Sequence, residues 1–386
     1  MKHHWTLDPD ITFLNHGSFG ATPRVVLEKQ NEFRAQMERE PVRFFVRELE
    51  PLLDEARQTL AQFIGADAEG VAFVPNATAG VNAALRSLDL DKFDELLLTS
   101  QEYGASRNAL DYVAGIAGAK VVVVDLPFPI ESAEVVIERV LAAVTERTRL
   151  FLIDHVTSQT ALILPVERLV KELANRGVDT LIDGAHAPGF LPLNVRDLGA
   201  AYYTGNLHKW VCAPKGAAFL YVRENRRRSI HPVSISHGAS SPRTDRSRYL
   251  LEFDWTGTFD PSAWLCIPAA LEFMQSHGGW PEVMRRNRGL ALLARDVLCD
   301  ALRIAPPAPD EMLGAMAAVP LPDGSQSVAP SLYGDPLQDA LLFEHRIEVP
   351  IVPWPAPPQR LLRISAQLYN ELADYEKLAG ALRRLL

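Results

Sequence analysis

Cysteine is scarce in this sequence: Cys212, Cys266 and Cys299 are the only three in 386 residues. An odd number without metal-ligand spacing excludes a disulfide framework and a structural zinc site, and fits a reducing cytoplasm. Positive charge is also in deficit. The 39 Lys+Arg against 48 Asp+Glu leave a net charge of −9, which repels phosphate backbones, so nucleic acid is not expected as a partner. No apolar run reaches the roughly 18 residues of a membrane span. The opening MKHHWTLDPDITFLNHGSFG places charged and aromatic residues where a signal peptide is continuously apolar. The expectation is a cytoplasmic chain with no membrane partner. Internal repeats and low-complexity tracts are missing as well. What is present is 47% hydrophobic, which over this length exceeds one small core and predicts a large domain plus a smaller one.

Short apolar runs alternate with segments of helical period between Val71 and Val222. The runs are VAFVP, ELLLTS, KVVVVDL, LFLIDHV, DTLIDGA and AAFLYV, with helices expected over Ala77–Ser87, Ala105–Gly118, Ser132–Val144 and Pro165–Arg176. This β-α-β-α rhythm predicts an α/β fold with a mostly parallel sheet covered on both faces. Before it, Pro23–Arg39 and Glu48–Ile64 read as helices interrupted by EPVRFF at Pro41. After it, RENRRRSIHP and SHGASSPRTDRSRYL read as solvated loops. From Pro261 a long helix over Ser262–His277, another over Glu282–Arg303, strands in MAAVPLP and LLRISA and a terminal helix predict a smaller α+β domain. Its boundary is expected near Thr258–Ser262. The proline-rich IVPWPAPPQ reads as a loop leading to the strand that carries Arg363.

Open parallel sheets bind ligands beyond the carboxyl ends of their strands. Two segments there, DGAHAPG (183–189) and GNLHKW (205–210), suit pyridoxal phosphate chemistry. That chemistry needs a lysine amine to condense with the cofactor's aldehyde and a carboxylate to keep the pyridine nitrogen protonated. Lys209 and Asp183 are the candidates: either alone reads more readily as a surface cation or a turn residue, and the two motifs together in an α/β frame reverse that reading. VPNATAGVNAAL offers a phosphate cradle, with Asn76, Ala77 and Thr78 at a helix N-terminus, or simply a helix cap. It is neither a GK[ST] loop nor a GxGxxG fingerprint. Tyr103 in QEYGAS is placed to stack on a flat ring, and Ser158 in DHVTSQTA to hydrogen-bond a phenolic oxygen. His155 reads as a buried, satisfied histidine. His186 and His208 flank the two principal candidates without an HExxH pattern or acidic cluster, so no metal is expected.

These motifs, together with FLNHGSFG, PVRFF, WTGTFDPS and LRISAQLYN, resemble the class V aminotransferase family of fold-type I pyridoxal-phosphate enzymes over nearly the whole chain, and within it the isopenicillin N epimerase-like branch. The resemblance implies a mostly parallel, seven-stranded-type sheet. It also implies an N-terminal segment (1–20) packed on the small domain and active site, a large cofactor-binding domain (21–260) and a small domain (261–386). It implies Lys209 as the cofactor-binding lysine, Asp183 at the ring nitrogen and Tyr103 on the ring. Ala77, Thr78, Asn206 and His208 would surround the phosphate, with Ser158 and His186 near the phenolic oxygen. A homodimer with shared sites is implied, Thr258 reaching the partner's phosphate. Arg363 would grip the substrate carboxylate unless it pairs with Glu348, and Arg43 is the alternative grip.

Desulfurases have His where this chain has Tyr103, and they carry a thiol in the segment before Arg363, where EVPIVPWPAPPQRLL has none. Desulfuration is therefore not expected, and Cys212 lies too close to Lys209 in sequence to replace a mobile loop thiol. Epimerisation or racemisation of an amino acid, with Tyr103 or His16 as the second acid, is the first reading. Carbon–sulfur β-elimination from a cysteine conjugate or sulfoxide, and transamination, share its early steps. A non-catalytic binding protein on the same scaffold would be expected to lack the lysine or the aspartate.

Overall fold

The apolar runs assemble into one sheet because each alternates its side chains between two buried faces. The computed structural model describes residues 1–324 and 334–386. The strands are β1 (Val71–Val74), β2 (Glu95–Thr99), β3 (Lys120–Val124), β4 (Thr148–Asp154), β5 (Asp179–Asp183), β6 (Tyr202–Asn206) and β7 (Ala218–Val222). Their order is β1-β7-β6-β5-β4-β2-β3. β7 runs antiparallel to both neighbours and every other ladder is parallel. Along β4, Phe151 and Ile153 enter one apolar cluster while Leu150 and Leu152 enter another on the opposite face. β6, whose YYTGN is too polar to stand out as an apolar run, lies between β5 and β7.

The covering helices follow the expected spacing. Val166–Ala174 buries Val166, Leu169, Val170 and Leu173, the i, i+3, i+4, i+7 stripe of an amphipathic helix. Ala77–Arg86 starts at Asn76, whose side chain accepts from the Ala79 N–H at 2.8 Å.

Four local expectations need correction. The interruption at EPVRFF is a single residue, Glu40. Pro41 then opens a new helical segment that continues through a π turn (Phe44–Glu48) into Leu49–Ile64, because a first-turn proline lacks only an N–H the helix does not use. The end of the arginine-rich loop is a helix, Arg248–Phe253, capped by Ser247 and burying Tyr249, Leu250 and Phe253. The helix expected over Ser262–His277 divides at Cys266, where Pro268 sits in the first turn of the second piece. Finally, Ile351–Pro353 is a strand rather than loop. Being at a sheet edge, it tolerates the donor that proline lacks.

That strand, β9, belongs to a three-stranded antiparallel sheet of order β9-β10-β8, with β8 at Met316–Leu321 and β10 at Arg360–Ser365. Helices Trp280–Leu302 and Leu372–Leu385 pack together beside it. The N-terminal segment joins the two sheets. Thr12–Phe13 pairs with Ile347–Glu348, and the Leu14 carbonyl accepts from the Ser365 N–H. A short turn, His16–Phe19, then runs to Gly20. Gly20 has φ +70°, and a Cβ there would lie 2.1 Å from the His208 carbonyl oxygen and 3.0 Å from the Lys209 Cα. Only glycine lets the segment pass against the backbone that carries Lys209. Among the described residues no helix is long and apolar enough to cross a membrane.

Candidate active site

The carboxyl ends of β1, β2, β4, β5 and β6 converge on Lys209. β5 ends at Asp183, a buried residue whose carboxylate accepts from the Ser106 hydroxyl at 2.7 Å and the Ala185 N–H at 3.0 Å. Ser106 lies in the first turn of Gly104–Ala117, the helix that Tyr103 precedes. The Tyr103 N–H in turn donates to Asp154, at the end of β4, at 3.1 Å. β6 ends at Asn206, whose side chain accepts from the Ala77 N–H at 2.8 Å and so ties the start of Ala77–Arg86 to the Lys209 loop. Gly80 allows the same approach one turn later, since a Cβ there would lie 2.2 Å from the Thr204 hydroxyl.

Lys209 keeps some accessible surface, but its amine lies deep enough that burial dominates. Burial, aided by Arg363 and opposed by Asp183 and Asp154, lowers its pKa to about 7. Its Nζ is 3.1 Å from His186 Nε2. Burial and the nearby Lys209 charge hold His186 well below the ordinary histidine value. His208 is lowered to about 4, again chiefly by burial, and its Nδ1 meets the Ala217 carbonyl at 3.1 Å. His155 bonds the Tyr203 hydroxyl at 2.8 Å and burial lowers it to about 4, so it is a satisfied core histidine.

Arg363, on β10, points back toward the large sheet. Its guanidinium donates to the Ser158 carbonyl at 2.5 Å and to the Ser18 hydroxyl at 2.8 Å. Glu348 instead accepts from Asn15, so the alternative pairing of Glu348 with Arg363 is not what forms. His16 is near Lys209 but on its backbone side. Its Nε2 lies 3.0 Å from the Lys209 carbonyl and its Nδ1 2.7 Å from the Tyr369 hydroxyl. Burial lowers its pKa to about 3. With both nitrogens engaged, it is not placed as the second acid. Arg43 and Thr258 stay apart from this centre within the chain. Arg43 is exposed and paired with Glu48 at 2.6 Å, and Thr258 is exposed in the turn after Trp255.

Residue patterns did not single out Glu102, Asp154 or Ser106. Glu102, Asp154 and Asp183 have carboxylate oxygens within 4.8 Å of one another, all buried, and Glu102 Oε1 has no hydrogen-bond partner among the described residues. Burial, reinforced by mutual repulsion, pushes Glu102 and Asp154 well above the ordinary carboxylate range. Burial also raises Asp183, against the pull of Ser106, Ala185 and Lys209. The acid ending the apolar run LFLID was the available signal, since a charge is seldom buried without a purpose.

This donor set fits pyridoxal phosphate. The acidic floor accepts a positive charge such as a protonated pyridine nitrogen. Thr78, at the N-terminus of Ala77–Arg86, keeps its N–H and hydroxyl without a partner among the described residues, and a helix N-terminus favours an anion. A buried amine near neutrality completes the set.

Comparison with known proteins agrees. The family model Aminotransferase class-V matches residues 13–328. The isopenicillin N epimerase of Amycolatopsis lactamdurans is 38% identical over 98% of this chain and 96% of its own. A probable chloroplastic L-cysteine desulfhydrase of Arabidopsis thaliana is 32% identical, covering 100% of this chain and 84% of its own. The solved structure of a C-DES mutant with glycine covalently linked to its PLP cofactor superposes with a TM-score of 0.82 at 21% identity, over 99% of both chains. The fold is therefore that of the fold-type I enzymes, and the match in sequence is closer than fold alone. With a family model spanning most of its length and relatives above 30% identity over nearly all of it, the chain belongs to the aminotransferase class-V family of pyridoxal-phosphate enzymes.

Proposed function

We propose that the enzyme epimerises or racemises the α-carbon of an amino acid, free or as a group within a larger substrate. The observation that carries this reading is the Lys209 amine, buried beside His186 with its pKa lowered to about 7, where it can accept a proton near neutral pH. In this reading Lys209 holds the cofactor covalently and Asp183 holds the ring nitrogen's proton. Ala77, Thr78, Asn206 and His208 hold the phosphate, Tyr103 covers the ring, and Ser158 and His186 serve the phenolic oxygen. When bound, pyridoxal phosphate supplies an electron sink conjugated to the substrate's α-amino group.

The chain's own residues do the rest. Arg363, anchored by the neutral oxygens of Ser158 and Ser18, offers a planar fork to the substrate carboxylate and so aims the α-hydrogen at Lys209. Lys209 Nζ takes that proton. Tyr103 is the candidate for returning one from the other face, since His16 is committed to Lys209's backbone and Tyr369. A homodimer would complete the site through Thr258 and Arg43, both exposed in this chain. Its exposed apolar residues Val42 and Val46 flank Arg43. The buried thiols suit a cytoplasmic setting.

Carbon–sulfur β-elimination is the second reading, favoured by the desulfhydrase relative that matches the entire chain. Desulfuration through a protein persulfide is not supported: all three cysteines are buried, and burial pushes Cys212 up to about 12. The test is to incubate the loaded enzyme in heavy water with a panel of amino acids and cysteine conjugates. Deuterium at the α-carbon with loss of chirality supports epimerisation. Release of thiol and keto acid without it moves the assignment to elimination, and keto acid with retained thiol to transamination. Lys209→Ala should abolish turnover and the visible absorbance of bound cofactor together, and a variant keeping both removes Lys209 from its role.

A further inference from the structure

Trp210 follows Lys209 in sequence, is fully buried, and its indole N–H points at His186 Nδ1 at 3.4 Å. On the other side of the same imidazole, Nε2 lies 3.1 Å from Lys209 Nζ. An indole nitrogen can only donate, so Nδ1 must accept, and a neutral imidazole then carries its one proton on Nε2. We infer that the Trp210 indole sets the tautomer of His186, so that His186 Nε2–H donates to the Lys209 nitrogen and favours its unprotonated amine, making Trp210 a positioning residue for Lys209.

The alternative arrangements are worse. An ammonium at Lys209 would need Nε2 as an acceptor, forcing the His186 proton onto Nδ1 against the indole N–H. An imidazolium would set two cations 3.1 Å apart with Arg363 close by. The other titratable groups facing the pair are His16 and His208, both held neutral by burial, and Asp183 and Asp154, which pull Lys209 the opposite way by favouring the ammonium. The indole bond therefore works with burial and Arg363 against the two carboxylates. What this means for catalysis rests on the role proposed above for Lys209, whereas the tautomer does not.

The experiment uses the full-length chain, freed of cofactor and carrying ¹⁵N-labelled histidine, with His186 assigned by its absence from the spectrum of His186→Gln. The expected wild-type spectrum shows Nδ1 as acceptor and Nε2 bearing hydrogen. Trp210→Phe keeps an aromatic ring without the donor, and should move His186 toward the Nδ1–H form. The labelling rate of Lys209 by an amine reagent at pH 7 should fall about threefold to tenfold. Adding Trp210→Phe to His186→Gln should then change Lys209 labelling little further, which a merely structural tryptophan would not predict. An Nδ1–H tautomer in the wild type overturns the inference, as does unchanged tautomer and labelling in Trp210→Phe. If that variant does not fold, the wild-type spectrum decides alone. These readouts need no turnover, so their failure is separable from failure of Lys209→Ala to abolish activity.

Discussion

The two walls around Lys209 differ in charge and in origin. The floor, at the ends of β2, β4 and β5, gathers three buried carboxylates from Glu102, Asp154 and Asp183. The roof, from β10 and the N-terminal turn, brings the Arg363 guanidinium against neutral oxygens of Ser158 and Ser18. A floor of crowded carboxyl groups, each raised by burial, is stabilised by a cationic ring nitrogen beside it, and a roof built on a guanidinium suits a carboxylate. Lys209 between them is pulled both ways, and burial brings its pKa down to about 7, where amine and ammonium are close to balance at neutral pH.

The floor is tested most severely by Asp183→Asn. It should retain cofactor yet lower turnover by about a hundredfold or more, roughly 2.7 kcal/mol or above, because an unprotonated ring is a poor electron sink. Unchanged turnover would give the ring nitrogen another partner. For the roof, Arg363→Lys keeps the charge and loses the fork. Cofactor content should persist while kcat/KM falls about tenfold to a hundredfold, the scale of a charged hydrogen bond at about 1.5–3 kcal/mol. A normal kcat/KM would place the carboxylate elsewhere, with Arg43 next in line.

The balance between floor and roof can be read without catalysis. Between pH 7 and 10.5 the unfolded chain holds a proton at this lysine that the folded, cofactor-free chain releases, so its cost to stability is full at neutral pH and fades as pH rises through that window. Lys209→Met should therefore be more stable than wild type at pH 7, by about 1–2 kcal/mol after allowance for the surface it retains. Equal unfolding midpoints near pH 10, measured by denaturant titration, complete that expectation, and a gain that does not shrink with pH contradicts it. The smallest effect belongs to Ser106→Ala, which removes one hydrogen bond from Asp183. About 1 kcal/mol, or a fivefold loss of turnover, is expected with cofactor retained, and a loss as large as that of Asp183→Asn would mean Ser106 does more than support the carboxylate.

Much of the fold was legible because strands such as ELLLT and LFLID are buried on both faces and leave continuous apolar runs. β6 was less visible because YYTGN spends its polar residues on structure, Thr204 bonding the Phe219 carbonyl and Asn206 the start of a helix. Asp183 and Lys209 stood out because each closes a strand-to-loop motif. Glu102 and Ser106 did not, since one acid and one serine near a helix start resemble ordinary capping chemistry. His16 was legible as a nearby residue and not as to which side of Lys209 it would occupy.

The sequence by itself determined the sheet, the helical stripes, the family motifs and the identity of the chemically capable residues, because periodicity and turn chemistry act over a few neighbouring positions. Only the tertiary structure decided what those residues face. Arg363 meets Ser158 across 205 positions, Ser106 meets Asp183 across 77, and His16 closes on the Lys209 backbone across 193. Protonation followed from the same assembly. Burial holds Lys209 near neutrality and raises Glu102 and Asp154, and the free energy of a charge depends on the dielectric and the partners that folding places around it, which a linear string of residues does not contain.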